Sequence, residues 1–163
     1  AAGLVAVGQL SLFCAHPWLQ SNEFESEDWE DGSFIEESAS TPLITPKIEV
    51  TLNLLREAII QNKKVLIFAV FNNCYELIKR AAKSMSSRSV YWNAINGSTS
   101  AFERQKIVDE FSDYDGPGVL VLNPKAAGAG LNITAATIVI HYTLSWNPAL
   151  EMQASARAHR LGQ

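Results

Sequence analysis

Four short apolar runs alternate with segments of helical periodicity, and this alternation constrains the fold more than any other feature of the chain. The first run, Lys64 to Val70 (KVLIFAV), is continuous, which suits a strand buried on both faces of a parallel sheet. Val90 to Ile95, Val119 to Leu122 and Thr137 to Tyr142 are the other three. Between them lie helices with identifiable starts. Thr45-Pro46 places an N-cap before a proline at the first helical position, and Ile48, Leu52, Leu55 and Ile59 then share one face. Asn73 with Glu76 is placed to cap a helix whose inner side carries Leu77, Ile78 and Ala81. Ser100-Ala101-Phe102-Glu103 has the capping-box pattern, followed inward by Ile107, Val108 and Phe111. Asn147-Pro148 opens a last helix running to about Arg160. Strand and helix in alternation predict βαβ units: an α/β domain with a mainly parallel sheet flanked by helices.

The chain has 163 residues, enough for one compact domain and a flanking arm. Its apolar runs are too short to cross a bilayer, so no membrane partner is expected. Ala1 to Cys14 is apolar but lacks the basic start of a signal peptide; it reads as a fragment boundary followed by a buried helix. Cys14 and Cys74 are too few for a disulfide framework and read as reduced core thiols. Cys14 lies near His16, yet no second Cys/His pair exists to complete a zinc site. Charge divides the chain unevenly. Residues 1–46 hold no Lys or Arg and eight acidic residues, while residues 47–163 hold thirteen basic against nine acidic, or +4. Ser21 to Thr45 is acidic and non-periodic and reads as a solvated linker, with Trp29, Phe34 and Ile35 placed to tack it to the body. The expected division is an N-terminal helical arm (1–20), an acidic linker or loop (21–45) and an α/β lobe (46–163).

In open parallel sheets, ligands gather at the carboxyl ends of the strands. Three segments would lie there: Gly97-Ser98-Thr99, the loop Asn123 to Asn132, and Leu144 to Gln163. The loop Asn123-Pro124-Lys125-Ala126-Ala127-Gly128-Ala129-Gly130-Leu131-Asn132 is rich in small residues that let backbone N–H groups approach an anion. It is not a Walker A loop, and a tight turn with no ligand accounts for it equally well. In the last helix, Gln153, Arg157 and Arg160 fall at i, i+4 and i+7 and share a face bordered by small residues. Two arginine forks suit a polyphosphate. A solvated helix with two exposed arginines fits the same spacing.

Taken together, these segments resemble the C-terminal motor lobe of the Swi/Snf-type ATPases of helicase superfamily two, over roughly Leu10 to Gln163. Cys14-Ala15-His16-Pro17 is similar to the family's Cys-Asn-His-Pro, and Lys64 to Phe71 to motif IV. Asn96-Gly97-Ser98-Thr99-Ser100 with Glu103-Arg104 resembles the Gly-Ser-Thr-Ser and Glu-Arg segment. Ala126 to Ile133 resembles motif V, Trp146-Asn147-Pro148 the family's Trp-Asn-Pro, and Gln153 to Gln163 (QASARAHRLGQ) motif VI. The resemblance implies a three-layer RecA-like fold, the second lobe of a P-loop-NTPase-like pair. It implies that Arg157 and Arg160 act catalytically as arginine fingers on ATP, with Gln153 orienting them and Gly130 and Asn132 approaching the nucleotide. Gly97, Ser98, Thr99, Asn123, Lys125 and Gly128 would contact the phosphates of duplex DNA without reading sequence. ATP and magnesium would be held mainly by an N-terminal RecA-like lobe, since this sequence contains no Walker A loop. The full protein would then be a DNA-dependent ATPase and translocase, found in the cytoplasm or nucleoid if bacterial and in the nucleus if eukaryotic. The fragment alone would be inactive.

Three departures from the family pattern stand in the sequence. Ala156 stands where motif VI usually has Asp before its first arginine. Asn123-Pro124 replace Ser/Thr before the motif V lysine, and Pro124 has no N–H to donate. Thr143 and Leu144 supply no acidic residue before Trp-Asn-Pro. The alternative is a non-catalytic nucleic-acid or protein-binding module derived from such a lobe. Retained Arg157 and Arg160 count against it. An RNA helicase is disfavoured by Trp-Asn-Pro and His-Arg-Leu-Gly-Gln, and a sugar-nucleotide-binding domain lacks an acidic ribose contact.

Overall fold

The computed structural model describes residues 2–21, 33–85, 88–127 and 130–144, together with 148, 149, 152, 155 and 156. In chain order the elements are α1 (Ala2–Ala15), β1 (Leu19–Ser21), β2 (Ser33–Ile35), α2 (Pro46–Ile60), β3 (Lys64–Phe68), α3 (Cys74–Ala82), β4 (Tyr91–Ile95), α4 (Ala101–Asp113), β5 (Gly118–Leu122), α5 (Pro124–Ala127) and β6 (Ile138–His141). Pro148, Ala149, Met152, Ser155 and Ala156 are also helical.

The four strands expected from the apolar runs form one sheet in the order β4-β5-β3-β6, and every pairing is parallel. Strand β3, the most apolar run, lies between two neighbours: Phe68 is opposite Leu122 on one side and His141 on the other. Alternation along each strand then divides the core into two layers. Val65, Ile67, Val119 and Val121 join α2 and α3 residues Leu52, Leu55, Leu77 and Ile78 on one face. Leu66, Phe68, Leu120 and Leu122 meet Val108 and Phe111 of α4, with Leu131, Ile133 and Ala136, on the other. Full burial of each such side chain contributes about 1.5–3 kcal/mol, so both faces must stay covered. This is the three-layer α/β arrangement the sequence predicts. At Gly118 an added Cβ would come within 2.9 Å of the Phe111 ring, so glycine there lets α4 lie close to the sheet.

Two of the three expected helix caps form. Thr45 accepts from the Ile48 N–H with Pro46 at the first helical position. Ser100 and Glu103 make the reciprocal capping box. The Glu103 carboxyl is held below its usual range by its hydrogen bonds to the Ser100 hydroxyl and backbone N–H. Asn73 differs: its backbone is helical (φ −71°, ψ −8°), and it makes no side-chain cap. A capping side chain reaches back from an extended residue, which Asn73 is not.

The amino-terminal part corrects three expectations. Helix α1 is not a buried helix: Leu12 and Ala15 are buried, but Leu10 and Phe13 are more than 60% exposed. A helix apolar on all sides can dock only one side on a single layer. Cys14 is likewise exposed rather than a core thiol, while Cys74 is buried. The acidic segment is also more than a connector. Ser33–Ile35 pairs antiparallel with Leu19–Ser21, and Glu37 forms an ion pair with Arg80. Trp29 lies outside the described residues. Buried His16 accepts from the Trp18 N–H at Nδ1 (3.0 Å) and donates from Nε2 to the Leu43 carbonyl (2.9 Å). Tyr142 donates to the Ala15 carbonyl (2.7 Å) and Lys47 to that of Cys14 (3.0 Å). Among the described residues, no helix is long and apolar enough to cross a membrane.

Two outcomes follow from this packing. Thr45→Ala is expected to lower stability by about 1 kcal/mol in urea denaturation, because the Ile48 N–H loses its acceptor. A thiol reagent at pH 8 is expected to modify Cys14 in the folded protein and Cys74 only on unfolding, since burial pushes the Cys74 thiol up to about 12. Equal labelling rates would contradict the burial of Cys74.

Candidate functional site

Because all four strands run the same way, their carboxyl ends Phe68, Ile95, Leu122 and His141 lie along one edge. Backbone bonds continue across that edge beyond the ladder: Ala69 N–H to Leu122 C=O (3.0 Å), Asn123 N–H to Ile95 C=O (3.0 Å) and Tyr142 N–H to Phe68 C=O (2.9 Å). The loops that carry the candidate residues therefore start side by side.

After β4, Gly97 and Ser98 are exposed and Thr99 is half-buried. Their turn is built by Asn96, whose Oδ1 accepts from the Ser98 N–H (3.0 Å), the Ser98 hydroxyl (2.7 Å) and the Thr99 hydroxyl (3.2 Å). Asn96 N–H in turn donates to Thr99 Oγ1 (3.1 Å). Arg104, one turn into α4, fixes the other side of the loop. Its Nε donates to the Thr99 carbonyl (2.7 Å) and its Nη2 to the Gly97 carbonyl (3.3 Å). Two carbonyls that would repel a phosphate are thus turned onto a guanidinium.

After β5, Asn123 is buried and its side chain is committed internally. Nδ2 donates to the Val70 carbonyl (2.8 Å), and Oδ1 accepts from the Lys125 N–H (3.0 Å). Pro124 opens the short turn α5, where a missing N–H costs nothing. Lys125 projects from that turn and is exposed. Gly130 has φ +84°, with open space where a Cβ would stand. Asn132 is exposed between buried Leu131 and Ile133. Gly128 lies outside the described residues.

After β6, Thr143 is buried and accepts from the Val70 N–H at 2.7 Å. Val70 is thereby held from both neighbouring strands, its carbonyl by Asn123 and its N–H by Thr143. His141 stacks on Phe68 (5.3 Å between ring centroids, 24° between planes) and shares a 2.9 Å hydrogen bond with Ser155. Ala156 is exposed. Gln153, Arg157 and Arg160 lie outside the described residues.

Four organisers of this edge, Asn96, Arg104, Thr143 and His141, are not among the candidate nucleotide- or DNA-binding residues read from the sequence. Asn96 had a readable signal, since Asn followed by Gly-Ser-Thr favours a side-chain-closed turn. Arg104 stood only as part of a Glu-Arg pair. Thr143 and His141 act across strands, and spacing along one chain cannot reveal that.

Comparison with known proteins agrees with this geometry. The family model "Helicase conserved C-terminal domain" matches residues 46–162. The putative ATP-dependent helicase/translocase YwqA of Bacillus subtilis is 36% identical over 160 residues, covering 98% of this chain and 16% of that protein. The crystal structure of the C-terminal part of the Fun30 ATPase domain superposes with a TM-score of 0.65 at 30% identity, covering 74% of this chain and 38% of that one. The Sulfolobus solfataricus SWI2/SNF2 ATPase core in complex with dsDNA gives a TM-score of 0.58 at 28% identity, covering 76% and 26%. With its parallel sheet and the loops at one edge, the chain belongs to the helicase conserved C-terminal domain family, as the C-terminal RecA-like lobe of the Swi/Snf type.

Proposed function

We propose that this lobe is the second half of an ATP-driven motor that moves along duplex DNA, contributing arginine fingers to ATP and backbone-phosphate contacts to DNA. The observation that carries the reading is the single carboxyl edge, where the loops after β4 and β5 and the helical residue Ser155 all meet the sheet. The names of the relatives support it: one is named a putative ATP-dependent helicase/translocase and another was solved in complex with dsDNA.

Two ends of that edge suit two ligands. At the β4–β5 end, Gly97, Ser98, Thr99 and Lys125 are the DNA contacts in this reading. Exposed Gly97 and Ser98 sit in a turn whose carbonyls Arg104 draws inward, which suits an anion. Asn123 acts by holding Lys125 and Val70 rather than by touching phosphate through its side chain. Gly128 is assigned with these on sequence alone. Gln153, Arg157 and Arg160 are assigned to the ATP phosphates on sequence alone. Gly130, with its open left-handed backbone, and exposed Asn132 leave room for a nucleotide. Magnesium is assigned, with the nucleotide, to the N-terminal lobe, as the family resemblance implies. In this reading that lobe binds the nucleotide, closure brings the arginines against it, and this lobe alone turns over no ATP.

Two measurements test the reading. In the full-length protein, duplex DNA is expected to stimulate ATP hydrolysis, and Arg160→Ala to lower the stimulated rate on the order of a thousandfold. An unchanged rate removes the arginine-finger assignment, and a wild type without turnover removes the motor. Lys125→Ala is expected to weaken duplex binding evenly across sequences and to flatten the log–log salt slope by about 1. An unchanged slope removes Lys125 from the DNA contacts.

A further inference from the structure

We propose that Phe102 is an apolar contact to duplex DNA, beside the turn of Gly97, Ser98 and Thr99. The inference rests on the reading above, in which that turn meets DNA phosphates. Phe102 is 81% exposed, more than any other large apolar side chain among the described residues. It stands in the first turn of α4, two residues after the cap Ser100. The fold accounts for the rest of this helix start without it. Val108 and Phe111 carry the inner side of α4, and Ser100 with Glu103 closes its amino end. An apolar staple across such a start would pair positions 99 and 104, which are Thr and Arg. Phenylalanine is also a poorer helix former than alanine, glutamate or lysine.

A lone exposed phenylalanine is ordinary on a protein surface; what marks this one is its place. Side chains on a helix lean toward its amino end, so Phe102 leans toward the turn that precedes α4. Gly97 and Ser98 of that turn are exposed, and Arg104 takes up the Gly97 and Thr99 carbonyls. The neighbouring Glu103 carboxylate is tied to the Ser100 N–H (3.1 Å) and hydroxyl (2.9 Å). Lys106, four residues on from Phe102, is exposed on the same face of α4, where it is 3.8 Å from Glu110. A phosphate held at Gly97 and Ser98 would thus have an apolar ring beside it and an ammonium one turn further. On a duplex, the deoxyribose and the groove wall adjoin the phosphate. Their C–H surface suits a phenyl ring, and DNA-binding proteins use apolar side chains against it. Such a contact adds affinity without reading sequence.

The test is duplex binding by the full-length protein, read by fluorescence anisotropy across a range of salt concentrations. Phe102→Ala is expected to weaken binding roughly fivefold, the low end of one aromatic–nucleotide contact, and to do so for all duplex sequences alike. The log–log salt slope is expected to stay at the wild-type value, because a phenyl ring releases no counterion. Phe102→Leu and Phe102→Trp are expected to keep most of the affinity. The unfolding midpoint is expected to stay in place, since the ring is exposed. Unchanged affinity in Phe102→Ala overturns the proposal, including where DNA-stimulated ATP hydrolysis falls, which would put the ring against another part of the protein. So does a loss of affinity that comes with a changed salt slope. So does a loss that follows a lowered unfolding midpoint and is not restored by Phe102→Leu. Lys125→Ala in the same series separates the two ideas. If it flattens the slope while Phe102→Ala binds normally, the aromatic contact alone fails. If the wild type binds no duplex, the DNA reading fails and this inference with it.

Discussion

Everything at the candidate site depends on the parallel pairing of β4, β5, β3 and β6. Parallel strands need crossovers, and crossovers place helices on both faces. The same direction that forces this burial sends every strand's carboxyl end to one edge. Distant segments, from Gly97 to Ser155, are thus brought together by a backbone arrangement whose stability comes from Val, Leu, Ile and Phe side chains far from any ligand. Chemistry at the edge can vary while the core keeps the edge in place.

The edge itself is ordered largely by side chains that grip backbone. Asn96, Arg104, Asn123 and Thr143 each bond to a main-chain group of a loop or strand end. Such bonds net only about 1 kcal/mol each, but a buried partner left unpaired costs about 1–3 kcal/mol. They fix loop shape more than they raise stability. That is the property the proposed DNA contacts call for, since a phosphate backbone of any sequence must be met with the same geometry.

The layered fold was legible in the sequence because its signals are local. A strand buried on both faces is apolar throughout, as in KVLIFAV, and a cap is written in adjacent residues, as at Thr45-Pro46 and Ser100 to Glu103. The amino-terminal arm was less legible. Whether an apolar helix such as α1 is buried depends on how much surface lies opposite it, and pairing of Ser33–Ile35 with Leu19–Ser21 spans the acidic stretch. At the site, the segments were readable from motif spacing. The partners that shape them were not, since Thr143 reaches Val70 and Asn123 reaches Val70 from strands far apart in sequence.

The departures from the family pattern acquire physical meaning in this light. Pro124 gives up an N–H, yet it opens a helical turn where that N–H would have no helical partner, and Asn123 caps the next one. Thr143 supplies no carboxylate, yet its hydroxyl accepts a 2.7 Å bond from Val70. In both cases a charge or donor is lost and a neutral group keeps the local geometry. Residues that shape loops tolerate this, because shape can be held by any group of the right reach. The arginines are different in kind, since no neutral side chain offers two parallel charged donors to a polyphosphate. In the proposed reading, in which Arg157 and Arg160 meet ATP, a neutral residue at either position would remove what the replacements at Pro124 and Thr143 leave in place.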